Sequence, residues 1–245
     1  MKKKIYKGID EEGETTLNVI AAADNFNEWV FNTIQPYCKG EILEIGSGVG
    51  NISNYFINSG ASISLSDIRN NYCDILTKKF HKKPNVRSIQ NIDLVADNFE
   101  QVHAKQINQF DTVFALNVIE HIEDDLLAIA NCKKLLKKGG TLIILVPAYQ
   151  VLYNRFDKEL FHYKRYLKKE MIQLFHDNAL IIKESFYFNA LGIVGWFFSG
   201  KLANNKTIPS SQMGFYNKIV VIAKTIDFIL FRKIGLSAIV IGKKD

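Results

Sequence analysis

Apolar residues recur along this chain with two alternating periods. Short continuous apolar runs at 41–45, 61–66, 86–90, 110–116, 141–146, 180–188 and 236–242 have the length and β-branched content of buried strands. Between most of them the spacing turns helical, at 51–58, 70–80, 124–136 and 168–178. Strands alternating with helices imply parallel βαβ units with right-handed crossovers, so the pattern predicts an α/β, doubly wound sheet.

Two stretches depart from this rhythm. Residues 1–15 are polar and aperiodic, and 18–37 then places Val19, Ala22, Ala23, Phe26, Val30 and Ile34 at helical spacing, with Trp29 beside them. Pro36 and Gly40 close that single leading helix. After the sixth strand, 189–234 is strongly apolar: Asn189-Ala-Leu-Gly-Ile-Val-Gly-Trp-Phe-Phe198 is followed by a helix predicted over 215–234. Its narrow polar stripe carries Asn217, Lys218, Lys224, Thr225 and Arg232. Lys224 and Asp227 argue against a membrane span, which needs about 20 uninterrupted apolar residues. The reading is one domain over 1–245: a helical cap at 1–40, a core at 41–188, an apolar helical insertion at 189–234 and a last strand at 235–245.

Composition narrows the classes. With 245 residues, 47% hydrophobic and 23% charged, the chain can bury a core and is neither fibrous nor disordered. The net charge of +6 comes from scattered lysines rather than a dense arginine-rich run with interleaved aromatics, so no specific nucleic acid is indicated. Cys38, Cys73 and Cys132 form no C-x-x-C pair and signal neither a zinc site nor a disulfide framework. The basic start runs into Asp10-Glu11-Glu12 rather than an apolar stretch, so a cytoplasmic location is expected.

Candidate chemistry begins at Glu44-Ile-Gly-Ser-Gly-Val-Gly50. Glycines at 46, 48 and 50 clear side chains from a strand-to-helix turn, where backbone can approach a ligand and helix-terminal amides can donate to it. A dinucleotide fingerprint wants G-x-G-x-x-G, but position 51 is Asn and the third glycine falls one residue early, which makes a nicotinamide-dependent oxidoreductase the minority reading. Asp67 ends the second strand, where a carboxylate can accept from both hydroxyls of a ribose; the alternative is a helix N-cap.

Together with Asp67, with Phe110-Asp-Thr-Val-Phe-Ala-Leu-Asn-Val-Ile-Glu-His-Ile-Glu-Asp124 and with Leu135-Leu-Lys-Lys-Gly-Gly140, this loop resembles the class I S-adenosylmethionine-dependent methyltransferases. Ala22-Ala-Asp-Asn-Phe-Asn-Glu-Trp29, His162-Tyr-Lys-Arg-Tyr166 and Asn189-Ala-Leu-Gly-Ile-Val-Gly-Trp196 look like a bacterial subgroup often linked to glycosyltransferases. The resemblance implies a Rossmann-like, mostly parallel seven-stranded sheet with an antiparallel last strand, and S-adenosylmethionine as cofactor. It places Gly46 and Gly48 at the methionine end, with Ser47 and Gly50 among the cofactor-binding residues and Glu44 orienting the loop. Asp67, with Ile68 beside it, falls at the ribose, Asp93 at the adenine amino group with Asn91 and Asp97 as competitors, and Asn117 at the amino end. The family's Ala-Gly-Phe before the sixth strand is replaced by Asn178-Ala179-Leu180.

For the acceptor, His121 and His162 are candidate bases over the carboxyl ends of the strands, and Glu120 joins them; alternatively Glu120 and His121 merely brace a turn. The pair also resembles the Glu-x-x-Glu-His metal site of ubiquinone-pathway and small-RNA methyltransferases, but Asn117 replaces the first Glu and no metal is expected. The Asn/Asp-Pro-Pro-Tyr/Phe motif of related nucleic-acid enzymes is missing after the fourth strand, and no cysteine follows a proline. The expected acceptor is therefore an oxygen of a small molecule, glycan or lipid-linked substrate. The 189–234 insertion would wall the acceptor pocket and touch a membrane peripherally, or else form a homodimer interface or plain core. A non-catalytic module that keeps the cofactor fold stays open.

Overall fold

The computed structural model describes residues 11–202 and 209–245. Its strands are β1 (Ile42–Ile45), β2 (Ile63–Asp67), β3 (Val86–Asn91), β4 (Phe110–Leu116), β5 (Leu136–Pro147), β6 (Leu180–Phe188) and β7 (Ser237–Lys244). The helices among the described residues are α1 (Glu11–Ala21), α2 (Asp24–Ile34), α3 (Asn51–Asn58), α4 (Asn70–Phe80), α5 (Phe99–Val102), α6 (Asp125–Leu135), α7 (Arg155–Glu159), α8 (Lys168–Asp177), α9 (Ala190–Trp196), α10 (Ser210–Lys218) and α11 (Val220–Ile229).

The strands form one sheet in the order β3-β2-β1-β4-β5-β7-β6. The first five run parallel, and β7 lies antiparallel between β5 and β6. This is the mostly parallel, seven-stranded arrangement expected. The central strands are near-continuous apolar runs because both faces are covered. On one face Leu43, Val113, Leu142 and Ile144 pack with Ile129 and Cys132 of α6 and Met171 and Phe175 of α8. On the other, Ile42, Leu65, Phe114 and Ile143 pack with Ile34, Phe56, Leu76 and Phe80 and with Val220 and Ala223 of α11. The sheet order turns at β1, which lies between β2 and β4, so the loops leaving β1 and β4 diverge and open a crevice at the carboxyl edge.

Two local expectations change. The leading helix is two, and it begins earlier, at Glu11. The chain breaks before Asp24, and the break is held from outside: Asn217 of α10 accepts from the Phe26 amide at 3.0 Å, and its carbonyl accepts from Asn25. A 3-10 turn over Gln35–Tyr37 follows α2. The helix expected over 215–234 is likewise two, bent at Ile219, so its polar residues form no single stripe. The sixth strand keeps its expected bounds, although Ala179 before it takes φ +50, a left-handed position that suits glycine better.

The phase of α11 is set by Asp227, which is buried and accepts from the amides of Asn189 and Ala190, both at 2.7 Å. Those amides start α9, so one carboxylate fixes two helices against each other. Asp227→Ala would leave two buried N–H groups unpaired. It should cost about 2–5 kcal/mol, read as a lowered midpoint in urea unfolding with an unchanged slope.

Candidate functional site

The turn after β1 is left-handed at Gly46 (φ +72), Gly48 (φ +54) and Gly50 (φ +81), which only glycine adopts without strain. A Cβ on Gly46 would stand 2.4 Å from Val118 Cγ2, and one on Gly50 would stand 2.6 Å from Phe80 Cε2. The glycines therefore do different work. Gly46, Ser47 and Gly48 line the crevice, whereas Gly50 lets α3 pack on α4 and does not reach the cavity.

Asp67 Oδ2 accepts from the Gly48 amide at 3.1 Å, and Oδ1 accepts from the Arg69 amide at 2.9 Å. The carboxylate is buried, lines the crevice and keeps lone pairs on both oxygens. The helix N-cap alternative does not hold, because Arg69 occupies that position before α4. Burial pushes the Asp67 carboxyl up, while the Arg69 and Gly48 amides hold it back. Ser47 Oγ accepts from the Ser66 amide, tying the loop to β2 a second time. Glu44 lies beneath, bonded by the hydroxyl of Ser53 on α3; burial pushes its carboxyl up to about 7 against the bonds from Ser53 and Ser47.

Ile68 and Asp93 line the same crevice. Asn91 is turned away, donating to the carbonyls of Asp67 and Ile68, and Asp97 is exposed outside it. Asn117 follows β4 at φ +54 and faces the crevice across from the glycines.

At the far end stands a polar cluster. A 3-10 turn over Ile119–His121 points Glu120 inward, fully buried, with no hydrogen-bond partner for either carboxylate oxygen among the described residues. Burial pushes its carboxyl up to about 8, with Arg165 pulling the other way. The rings of His121 and His162 meet edge to face at 4.6 Å. Burial, then His162 and Arg69, drive His121 down to about 3, so it is a neutral imidazole near pH 7. His162 Nδ1 lies 2.8 Å from Asp157 Oδ1, and Arg165 Nε donates to the same oxygen at 2.8 Å. A carboxylate only accepts, so Nδ1 carries a proton and Nε2 is the ring nitrogen that can accept one. Asp157 stays below the usual carboxylate range: burial pushes it up, but the His162 bond and the Arg165 charge outweigh that. One ligand atom each from Glu120, His121 and His162 falls within 4.8 Å of the others, so this trio could hold a divalent ion.

Asp157 and Arg165 had been given no role from the sequence. Their signal was present but faint. Asn154 and Asp157 form a capping box around α7, which holds Asp157 in place, and Arg165 sits in the His162–Tyr166 segment already singled out. Arg165 is fixed further by the Ala148 carbonyl at 3.1 Å and by the Trp196 ring, 4.4 Å from its Cζ.

Both ends open into one cavity of about 390 Å³. Its roof comes from the two irregular stretches: Thr16, Leu17 and Phe26 on one side, and Gly192, Trp196, Met213 and Tyr216 on the other. A glycine-cleared backbone turn, a strand-tip carboxylate and a largely apolar space thus meet in a single chamber of ligand size.

Residues 43–144 match the protein-family model described as "Methyltransferase domain". Over 139 residues the chain is 26% identical to the ubiquinone biosynthesis O-methyltransferase of Xanthomonas campestris pv. campestris (strain B100); the match covers 52% of this chain and 56% of that one. The chain therefore spans about half the length of that relative. Among solved structures, it matches Haemonchus contortus phosphoethanolamine N-methyltransferase 2 in complex with S-adenosyl-L-methionine, at TM-score 0.59 and 19% identity, over 90% of this chain and 52% of the other. It also matches the geranyl diphosphate C-methyltransferase of Streptomyces coelicolor A3(2), solved with Mg2+, geranyl diphosphate and S-adenosyl-L-homocysteine. There the TM-score is 0.64 at 10% identity, over 97% and 86% of the two chains. These two structures share the fold, and their names already differ between nitrogen and carbon acceptors, so the fold alone does not name the acceptor.

The raised Glu44 carboxyl has a measurable consequence. Its folded value, about 7, lies above the ordinary 4.5, so the unfolded chain ionises first as pH rises and folding loses stability between those values. Glu44→Gln should remove about 3 kcal/mol of that loss. Thermal unfolding of cofactor-free protein across this pH window should decline less steeply for the variant than for the wild type.

Proposed function

We propose that this chain is an S-adenosylmethionine-dependent methyltransferase acting on a hydroxyl oxygen, with His162 as proton acceptor. The observation that carries the reading is the single cavity with the Gly46–Gly48 turn and Asp67 at one end and the Asp157–His162 pair at the other. The methyltransferase-domain match over 43–144 supports the reaction, and the O-methyltransferase name of the Xanthomonas relative supports oxygen.

The chamber suits the cofactor. Gly46 and Gly48 remove side chains where the methionine end would lie, the free lone pairs of Asp67 face the ribose position, and Ile68 and Asp93 bound the adenine position. Glu44 braces the loop through Ser53, and Asn117 closes the amino end. When bound, the cofactor supplies an activated methyl on sulfur. The residues of the chain orient the acceptor in line, exclude water and take its proton. His162 Nε2 receives that proton from the acceptor hydroxyl, and Asp157 stabilises the resulting imidazolium, as Arg165 keeps Asp157 anionic. The acceptor end is ringed by Phe156, Trp196, Met213 and Tyr216, which suits an apolar or lipid-linked hydroxyl better than a highly charged one.

One observation favours a second reading of the same end: Glu120 is buried without a hydrogen-bond partner among the described residues, and with His121 and His162 it could bind a divalent cation that holds the acceptor oxygen. Asp157 behind His162 would then be the outer carboxylate that metal-bound histidines commonly have.

Asp67→Ala should weaken S-adenosylmethionine binding by roughly 10 to 150-fold in calorimetric titration, through loss of charge-assisted hydrogen bonds. His162→Ala should leave that affinity within about twofold and lower kcat by about 10² to 10⁴ on an accepted hydroxyl substrate. Turnover that survives a strong chelator supports the base, whereas loss restored by added divalent ion supports the metal. Tight cofactor binding without label transfer to any cell fraction would make the protein a silent module.

A further inference from the structure

Helix α11 is amphipathic the wrong way round. Val220, Ala223 and the carboxylate of Asp227 face inward, whereas Val221, Ile222, Phe228 and Ile229 share the solvent side with Thr225. The exposure is large: 72% for Val221 and 80% for Phe228. It continues onto Phe231 at 79% and, on α10, Phe215 at 65%. Monomers rarely leave so many large apolar side chains together in water, and here no core requirement explains them.

The exposed charges that this segment itself carries have one sign. Asp227 is the only acidic residue from 209 to 234, and it is buried against the Asn189 and Ala190 amides. Lys218 and Lys233 are exposed beside the rings, and Lys224 and Arg232 are half-buried at the margin. A second copy docked here about a two-fold axis would bring these cations together with no exposed carboxylate of the segment itself to pair them. Anionic lipid headgroups supply the missing charge, while the rings enter the headgroup boundary. None of the described helices is long and apolar enough to cross a membrane, so the element would lie on the bilayer.

We propose that α10, α11 and the turn to Ile234 form a docking face for an anionic bilayer surface. The inner side of the same element lines the acceptor cavity through Met213 and Tyr216, so docking sets the cavity mouth at the headgroups, where a lipid-linked hydroxyl would enter. That last step rests on the methyl-acceptor reading; the docking itself does not.

The test is flotation of the full chain with phosphatidylcholine vesicles, with and without about one-third phosphatidylglycerol, at low and high salt. The wild type should float with the anionic vesicles and be released by salt. The Phe228→Ser, Phe231→Ser double variant and the Lys218→Glu, Lys233→Glu double variant should each bind at least about tenfold more weakly. Both change only exposed side chains, so circular dichroism and S-adenosylmethionine titration should match the wild type. Failure of the wild type to float overturns the proposal, as does equal binding by the variants. A dimer in light scattering that the phenylalanine variant dissolves would also overturn it, by assigning the face to a second copy. Flotation without cofactor binding would remove the methyltransferase reading and leave the docking standing.

Discussion

The hydrogen bond from the Gly48 amide to Asp67 joins the ends of the two adjacent strands β1 and β2, and the arrangement of the chamber follows from it. Parallel strands do not specify how the loops beyond their carboxyl ends meet. Here a backbone turn free of side chains is pulled against a buried carboxylate, and that carboxylate also holds the turn into α4 through the Arg69 amide. The pull works only with glycine at the left-handed positions, since a Cβ on Gly46 would collide with Val118 from the β4 side. With the β1 loop drawn toward β2, the crevice opens toward β4, and everything that follows β4 and β5 faces it across the gap.

What faces it is a second buried-charge arrangement. Asp157 is fully buried but well satisfied, with the Asn154 amide, His162 and Arg165 sharing its oxygens. Glu120, a few ångströms from the histidines, is equally buried and has no hydrogen-bond partner among the described residues. Removing a carboxylate from water is costly unless it is paired, so the two groups settle differently: Asp157 is held ionised, and Glu120 is pushed toward its neutral form. Two carboxyl groups displaced in opposite directions beside a pair of rings fit the proposed proton transfer or cation binding.

The roof over this chamber is built by long-range contacts more than by local preference. Asn217 terminates the break between α1 and α2, Trp29 packs on Phe188 at 4.2 Å, and Asp227 ties α11 to α9. The element that covers the cavity is therefore the one whose outward face is left apolar and cationic. Its inward demands are met by Val220, Ala223 and Asp227, which leaves the outer positions without a role inside the molecule.

By itself the sequence determined the alternation of strands and helices, the reversal of the last strand through the family resemblance, and the site's first half, because these rest on periodicity and on glycine, whose left-handed freedom is local. The strand limits matched at β4 and β6 and differed by a residue or two elsewhere except at β5, where pairing with β4 begins at Leu136 through Phe110, ahead of the apolar run. Only the tertiary structure decided that Gly50 serves helix packing, that Asp93 rather than Asn91 or Asp97 faces the crevice, and that Asp157 and Arg165 stand behind His162. It also decided where the helices over 11–37 and 210–234 break. Each of these depends on partners far along the chain: Asn217 at the α2 start, the Asn189 amide against Asp227, and Phe80 beneath Gly50. A periodic pattern records which face of an element is buried, but not what it is buried against, and the burial of a charged group is decided by that neighbour.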